Sequence, residues 1–522
     1  MQLTQALHRA VAIQPDALAT VCGGRRHTFA QFRDRVARLA AGLRAGGVGH
    51  EDRVGILAHN SDRYVEAYMA IPWAGAVFNP VNTRWSAAEI AYSLDDSDTR
   101  VLLVDDPFVA MVPDLQARSR SLSTLIHVGD QPTPAGMVSY EALIAGHYPV
   151  PDAGRMGRDL AGVMYTGGTT GFPKGVMQSH EAYVFNAIVL ASELQVRSDE
   201  RMLHAAPMFH VADFCGSNAV WNMGGTHITL PSFTPLGVLQ ALERERITFA
   251  AMVPTMVQMM VDHPDAAGFD LSALRTLAYG GSPISEAVLE RAQRLLPQVR
   301  FVQVYGMTEL APTITVLPAQ LHSPEGLARG KLRSGGLPVA GVQVRIVGTD
   351  GQELPRGEVG EIIVKGPGVM LGYWGKPQET AQAIARAPNV GWMHTGDGGC
   401  MDHEGFVYVV DRVKDMIISG GENVYSTEVE QVVAQHPAVA ACAVIGVPDE
   451  QWGERVHAVV VLKAGQQATA HEIREHCKPL IGGYKCPRSV EFVAALPTTG
   501  AGKVLKRVLR EPHWKGRERQ VA

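Results

Sequence analysis

The sequence predicts an α/β protein in which a large N-terminal domain of doubly wound sheets carries a β subdomain and is followed by a small mobile α+β C-terminal domain. Three observations carry this reading. Apolar strand-like runs alternate with helical stretches from residue 28 to residue 309, a rhythm that implies parallel strands joined by right-handed crossovers. Between 335 and 410 the pattern changes to short strands broken by Gly/Pro turns, as in GVQVRIVGTDGQELPRGEVGEIIVKGP, which predicts an antiparallel subdomain. At 411–423, DRVKDMIISGGEN, a β run meets a charged turn and a glycine pair, and about a hundred residues with strands and helices of their own follow. The domains are therefore placed at 1–413 and 414–522, since 522 residues exceed the usual size of one core.

In chain order, the start MQLTQALHRAVAIQPDALATV reads as an amphipathic helix without the basic-then-apolar organisation of a signal peptide. Residues 28–46 place apolar side chains at helical spacing and stop at Gly46 and Gly47, a C-cap signal. Strands are predicted at 54–57, 76–78, 101–104 and 125–128, with helices at 62–73 and 87–94 between them. A second alternating series runs through 227–230, 247–253, 273–281 and 299–309. Thr427 and Glu430 suggest a capping box for a helix reaching His436. With 46% hydrophobic and 19% charged residues the composition is that of a soluble globular protein, and a net charge of -5 offers no general field for nucleic acid. No apolar run approaches the ~20 residues a membrane span needs. Six cysteines without a CxxC pair suit reduced thiols, so the expected location is cytoplasmic, without structural zinc.

The stretch YTGGTTGFPKGVMQSH, 165–180, concentrates chemistry. Thr166, Gly167, Gly168, Thr169, Thr170 and Gly171 bring backbone amides and hydroxyls together, and Lys174 adds an ammonium. Glycine lets amides approach an anion closely, so the segment reads as a polyphosphate cradle. An apolar strand runs into it and a helix is expected from Ser179. The spacing fits neither GxxxxGK[ST] nor GxGxxG. Glu309 ends VQVYGMTE, at the carboxyl end of a strand, where ligands of such folds collect and where a carboxylate suits Mg²⁺ beside phosphates.

These segments resemble the signature of the adenylate-forming superfamily, which includes acyl-CoA synthetases, luciferases and the adenylation domains of peptide synthetases. One departure is Gly167, where the family usually has Ser; the hydroxyl is lost and the amide kept. The resemblance implies that Tyr305 stacks on adenine, with Gly306 and Met307 beside it, that Thr308 contacts the α-phosphate, and that Glu309 binds Mg²⁺. Gly281 and Ser282 of GGSPIS match the adenine-side loop, while Asp397 of TGD and Arg412 of DRVKD match the ribose contacts. Lys503, in PTTGAGKVLKRVLR, matches the terminal lysine that bridges carboxylate and α-phosphate, and with Thr166, Lys174 and Glu309 completes the implied catalytic set. Lys414 falls at the hinge about which relatives rotate the C-terminal domain between half-reactions.

PMFHVADF, 207–214, resembles the segment lining the acyl pocket, with His210 at its gate. Val211, Gly281, Val304 and Met307 are the expected lining, small or apolar and without a charge partner. Relatives that activate amino acids carry an aspartate at the place of His210, which argues against an amino acid here, although Asp213 lies close by. Trp452, Tyr484 and Arg488 match positions that meet CoA, with Lys485 adding charge and Cys486 standing where some relatives have arginine. The function implied is that of an AMP-forming acyl-CoA synthetase using ATP, Mg²⁺ and CoA, with a medium- or long-chain fatty acid expected first. An aryl or phenylpropanoid acid, or loading of a carrier protein in place of CoA, is the alternative. A luciferase-like oxygenase shares the first half-reaction, and Lys174, Glu309, Asp397, Arg412 and Lys503 together count against a non-catalytic scaffold. No nucleic acid and no membrane span is expected, and a homodimer is left open.

Overall fold

The computed structural model describes residues 1–166, 173–282, 284–412, 415–419, 422–499 and 504–515. Two compact units emerge, one of Met1–Pro283, Val288–Val344 and Val364–Met393, the other of Ile284–Ala287, Arg345–Ile363 and His394–Ala522. The antiparallel stretch predicted for 335–410 is thus shared between them.

The first unit is built on two sheets. The eight-stranded one runs in the order Gly372–Tyr373, Lys174–Ser179, Leu160–Thr166, Val77–Pro80, Arg53–Leu57, Val101–Val104, Thr124–His127 and Val138–Ser139. Its predicted strands pair in parallel, as Val54 with Phe78 and with Val101, while the first three strands of that order, from Gly372–Tyr373 to Leu160–Thr166, pair antiparallel. The nine-stranded sheet also has a parallel interior, from Thr226–Thr229 to Arg300–Gly306, and turns antiparallel at Thr313–Leu317. In both sheets the residues singled out for chemistry lie where parallel pairing gives way to antiparallel.

Helices form where the periodicity predicts them. Phe29–Ala45 opens on a capping box between Thr28 and Gln31 and stops at Gly46, and Asp62–Trp73 is capped by the Ser61 hydroxyl. Ser179 caps His180–Glu193, as expected, but the six residues before it form a strand that the glycine- and lysine-bearing sequence does not advertise. The core of this unit is aromatic as well as aliphatic, with Tyr64, Phe78, Tyr183, Phe214 and Trp221 buried.

In the second unit, Met393–Met401 pairs antiparallel with Val407–Arg412 in a four-stranded sheet. A five-stranded sheet centred on Gly453–Leu462 packs helices over Val444, Val456, Ile473, Cys477 and Cys486. The expected capping box at Thr427 does not form. Thr427 lies inside the helix Ser426–Val433, its hydroxyl donating to the carbonyl of Val410, and Glu430 is drawn to the backbone amide of Val444 at 2.7 Å and to Lys506 at 2.8 Å. Among the described residues no helix is long and apolar enough to cross a membrane.

Candidate active site

Two paired strands flank the segment expected to form the cradle. Leu160–Thr166 and Lys174–Ser179 pair antiparallel, with Thr166 opposite Lys174. Gly167, Gly168, Thr169, Thr170 and Gly171 lie outside the described residues, and what is defined is the pair of arms on either side. Beside the hairpin, the hydroxyl of Tyr165 donates to Asp96 at 2.7 Å, and Lys376 reaches the other oxygen of Asp96 at 3.4 Å. Burial, and then the Asp96 carboxylate, push the Tyr165 phenol above its usual range, so it stays a donor.

Lys174 and Glu309 converge on one tyrosine. The Lys174 ammonium lies 5.0 Å from the centroid of the Tyr373 ring, within reach of the ring quadrupole, and the Tyr373 hydroxyl donates to Glu309 Oε1 at 2.9 Å. Tyr373 stands on the short strand that pairs with the second arm of the hairpin, opposite Val176. Sequence reasoning did not find it: it lies 64 residues from Glu309, and nothing local in LGYWGK points to an acid. Gln178, also unanticipated, reaches from the same arm to the carbonyls of Thr308 at 2.9 Å and Gly368 at 3.3 Å.

The turn that presents Glu309 is tightly specified. Arg300–Gly306 ends the parallel series, bringing Val304 opposite Gly280 and setting Gly281 and Ser282 at the end of the neighbouring strand. Gly306 lies so close to the carbonyl of Pro312 that any Cβ would collide with backbone, which explains the glycine of YGMTE. The Met307 amide donates to Pro312 at 2.9 Å, Thr308–Leu310 form one 3-10 turn, and Ala311 holds φ at 63°, a left-handed conformation that costs a non-glycine residue about 1–2 kcal/mol. The amide of Met370 donates to the carbonyl of Glu309 at 2.9 Å. Tyr305 and Met307 remain half-buried at the end of the strand.

His210 is the N-cap of the helix Val211–Met223, its ring accepting weakly from Ala212 N at 3.4 Å. Val211 is buried. Asp213 is 1% exposed and turns into the core, where it meets His204 Nδ1 at 2.8 Å; His204 Nε2 in turn lies 2.9 Å from His227, which stacks on Trp221. Burial, then the neighbouring His204, keep the His227 imidazole well below its usual range and hence neutral. The bonding partner of Asp213 is therefore an internal histidine, not detected from sequence because His204 belongs to a separate strand.

In the second unit the two expected ribose contacts stand directly opposite each other, Asp397 paired with Arg412 across the hairpin. The Asp397 amide donates to Thr395 Oγ1 at 3.0 Å, and the Thr395 hydroxyl donates to the carbonyl of Ile362 at 2.7 Å. Next to Arg412, Asp411 accepts 2.6 Å bonds from the Ser426 amide and hydroxyl. Farther along, the Arg488 guanidinium stacks 4.4 Å over Trp452. Tyr484 is 42% exposed, so it does not pack the small core, whereas Cys486 is buried in it. Lys485 is engaged by Glu428 at 2.7 Å. Lys414 and Lys503 lie outside the described residues.

Residues 7–374 match the AMP-binding enzyme family and residues 428–503 match the AMP-binding enzyme C-terminal domain. A feruloyl-CoA synthase of Amycolatopsis sp is 43% identical over 505 residues, which cover 96% of this chain and 97% of the relative. The fatty acid–[acyl-carrier-protein] ligase ScoC of Streptomyces coeruleorubidus is 36% identical over 515 residues, covering 97% and 96%. Among solved structures, the anthranilate CoA ligase AuaEII in complex with anthranoyl-AMP superposes with a TM-score of 0.90 at 26% identity, over 98% of this chain and 97% of that one.

Proposed function

The chain belongs to the AMP-binding enzyme family and is an ATP-dependent acyl- or aryl-CoA ligase, and from that premise we propose that its acid is an aromatic carboxylic acid of the phenylpropanoid type. The observation that carries the proposal is the packing behind Val211. Phe214, one helical turn along, meets the rings of Tyr68, Phe78 and Tyr183 at centroid distances of 4.5, 5.0 and 4.8 Å. Rings packed in the core at that end of the helix would give a pocket entered beside Val211 a rigid floor, which favours a flat, short acid over a long alkyl chain. The 43% identity to a feruloyl-CoA synthase supports the same choice. A fatty acid is the second reading, favoured by the likeness to ScoC, and loading of a carrier protein goes with it.

In the proposed reaction, a carboxylate oxygen of the acid attacks the α-phosphorus of ATP and pyrophosphate leaves. The CoA sulfur then attacks the carbonyl carbon of the acyl adenylate, and AMP leaves with the C–O bonding pair. Lys174 and the amides and hydroxyls of 166–171 would neutralise the β- and γ-phosphates. Tyr305 would stack on adenine, Thr308 would contact the α-phosphate, and Asp397 with Arg412 would hold the ribose. Glu309 fits Mg²⁺, being an almost buried acid on a turn locked at both ends, one oxygen of which already accepts a hydrogen bond that orients the carboxylate. The ion would offset the charge of the phosphates. Lys503 would stabilise charge on the α-phosphate during adenylation, and rotation about Lys414 between domains 1–413 and 414–522 would then admit CoA past Trp452, Tyr484 and Arg488.

The test is a panel of acids scored by CoA-dependent AMP release. Cinnamic, coumaric and ferulic acids should exceed octanoic, dodecanoic and hexadecanoic acids in kcat/KM by at least about tenfold, the discrimination worth ~1.4 kcal/mol. A higher kcat/KM for any of the fatty acids would transfer the assignment to the second reading.

A further inference from the structure

Away from these residues, three side chains of the second unit converge as metal ligands do. His457 lies on the Gly453–Leu462 strand, Glu491 on the neighbouring Ser489–Phe492 strand, and His513 on the C-terminal helix Lys506–Trp514. One ligand atom from each lies within 4.8 Å of the others. His457 pairs in parallel register with Ser489, and Glu491, two residues on, shares the face of Ser489. The Nδ1 atom of His457 meets Ser489 Oγ at 2.7 Å. Its Nε2 atom is buried, has no hydrogen-bond partner among the described residues and faces Glu491 at 3.5 Å. Donation of Nδ1–H to Ser489 would leave the Nε2 lone pair directed at the cluster, the arrangement of a metal-binding imidazole fixed by an outer hydrogen bond.

We propose that His457, Glu491 and His513 form a site for a divalent transition-metal ion of the zinc class, with Ser489 orienting His457. Two imidazoles and a carboxylate are a donor set that zinc accepts in tetrahedral geometry, with a fourth position left to water. Tetrahedral zinc spaces its ligand atoms by about 3.3 Å; closing from 4.8 Å requires only side-chain movement, because Glu491 and His513 are exposed. The helix bearing His513 is already anchored, by Arg510 to Asp415 at 2.7 Å and by Trp514 Nε1 to the carbonyl of Gly446 at 3.0 Å. An ion at its last turn would clamp to the sheet the helix that begins three residues after Lys503.

The test uses the full chain stripped with a chelator. Zn²⁺ titrated calorimetrically should bind one to one, Co²⁺ should develop a visible ligand-field absorption, and amide exchange across 506–514 should slow on addition of Zn²⁺. His513→Ala and Glu491→Gln, both at exposed positions where folding is safe, should each weaken Zn²⁺ binding at least about tenfold and abolish the exchange effect. Ser489→Ala should weaken it by about 10- to 100-fold, as expected for loss of an orienting hydrogen bond. His436→Ala, which removes one member of the His436–His476 ring pair in the same unit, should change nothing. The proposal is overturned if the stripped wild-type chain takes up no Zn²⁺, or if His513→Ala binds it as tightly as wild type.

Discussion

Glu309 and Asp397 are both carboxylates in the same degree of burial, each 8% exposed, yet the bonds seen to fix them differ in reach. Glu309 is positioned from afar: Tyr373 arrives from a strand at the edge of the other sheet, and Gln178 and Met370 fasten the turn beneath it. The backbone of Asp397 is fixed close at hand, its amide bound to the hydroxyl of Thr395 two residues earlier. An acid at a reacting centre must be fixed in the direction of its lone pairs, which calls for a partner on the carboxylate itself. The difference teaches that equal burial can be reached with long-range support of a carboxylate or with short-range support of a backbone.

The largest effect should come from Lys503→Ala, which asks whether the second unit contributes chemistry as well as grip. Adenylation should fall by about 3–4 kcal/mol in barrier terms, while thioester formation from preformed acyl-AMP should be much less affected. Equal loss in both single-turnover assays would remove the assignment. Next, Glu309→Gln should lower kcat by roughly a hundredfold and displace the Mg²⁺ titration to higher concentration, since a full charge leaves the ion's shell at constant size. An unshifted titration would hand the ion to another carboxylate. Asp397→Asn should act on binding instead, raising the KM for ATP by about 1.5–3 kcal/mol with kcat little changed. A fall in kcat without a change in KM would erase the contrast between the two acids. The smallest effect is expected of Tyr373→Phe, which deletes one hydrogen bond and should cost about 0.5–1.5 kcal/mol in kcat/KM, read together with a modest shift in Mg²⁺ demand. If Tyr373→Phe is neutral on both counts, remote support of Glu309 has no functional weight.

The same contrast explains what could be read from the sequence. TGD and YGMTE announce themselves because their conformations are set within a few residues: Gly306 has no room for a side chain, and Thr395 bonds to its own chain neighbour. The alternation of strand and helix in the first unit was legible for a related reason, since burial on both faces of a parallel strand leaves an apolar run. Tyr373, His204 and the strand Lys174–Ser179 were not legible. Their places depend on partners tens of residues away, and a half-buried edge strand carrying lysine, glycine and glutamine has no periodicity to betray it. Asp213 marks the limit most clearly: its sequence position suggested the acyl pocket, and only the strand bearing His204 sends it into the core.

The pairing of Thr166 with Lys174 carries an implication for how this loop can vary. Side chains alternate across a pleated sheet, so a slip of one residue along either arm would transfer Lys174 to the opposite face. The arms cannot readily slip, because a Cβ on Gly175 would stand 2.8 Å from Val163 and 2.9 Å from Tyr165. Parity is thereby locked at the base of the hairpin by the pairs Thr166 with Lys174 and Tyr165 with Gly175. A change of chain length between the arms would leave the lysine over Tyr373 as long as these pairs persist, which makes the hairpin a frame that aims Lys174 independently of the segment it flanks.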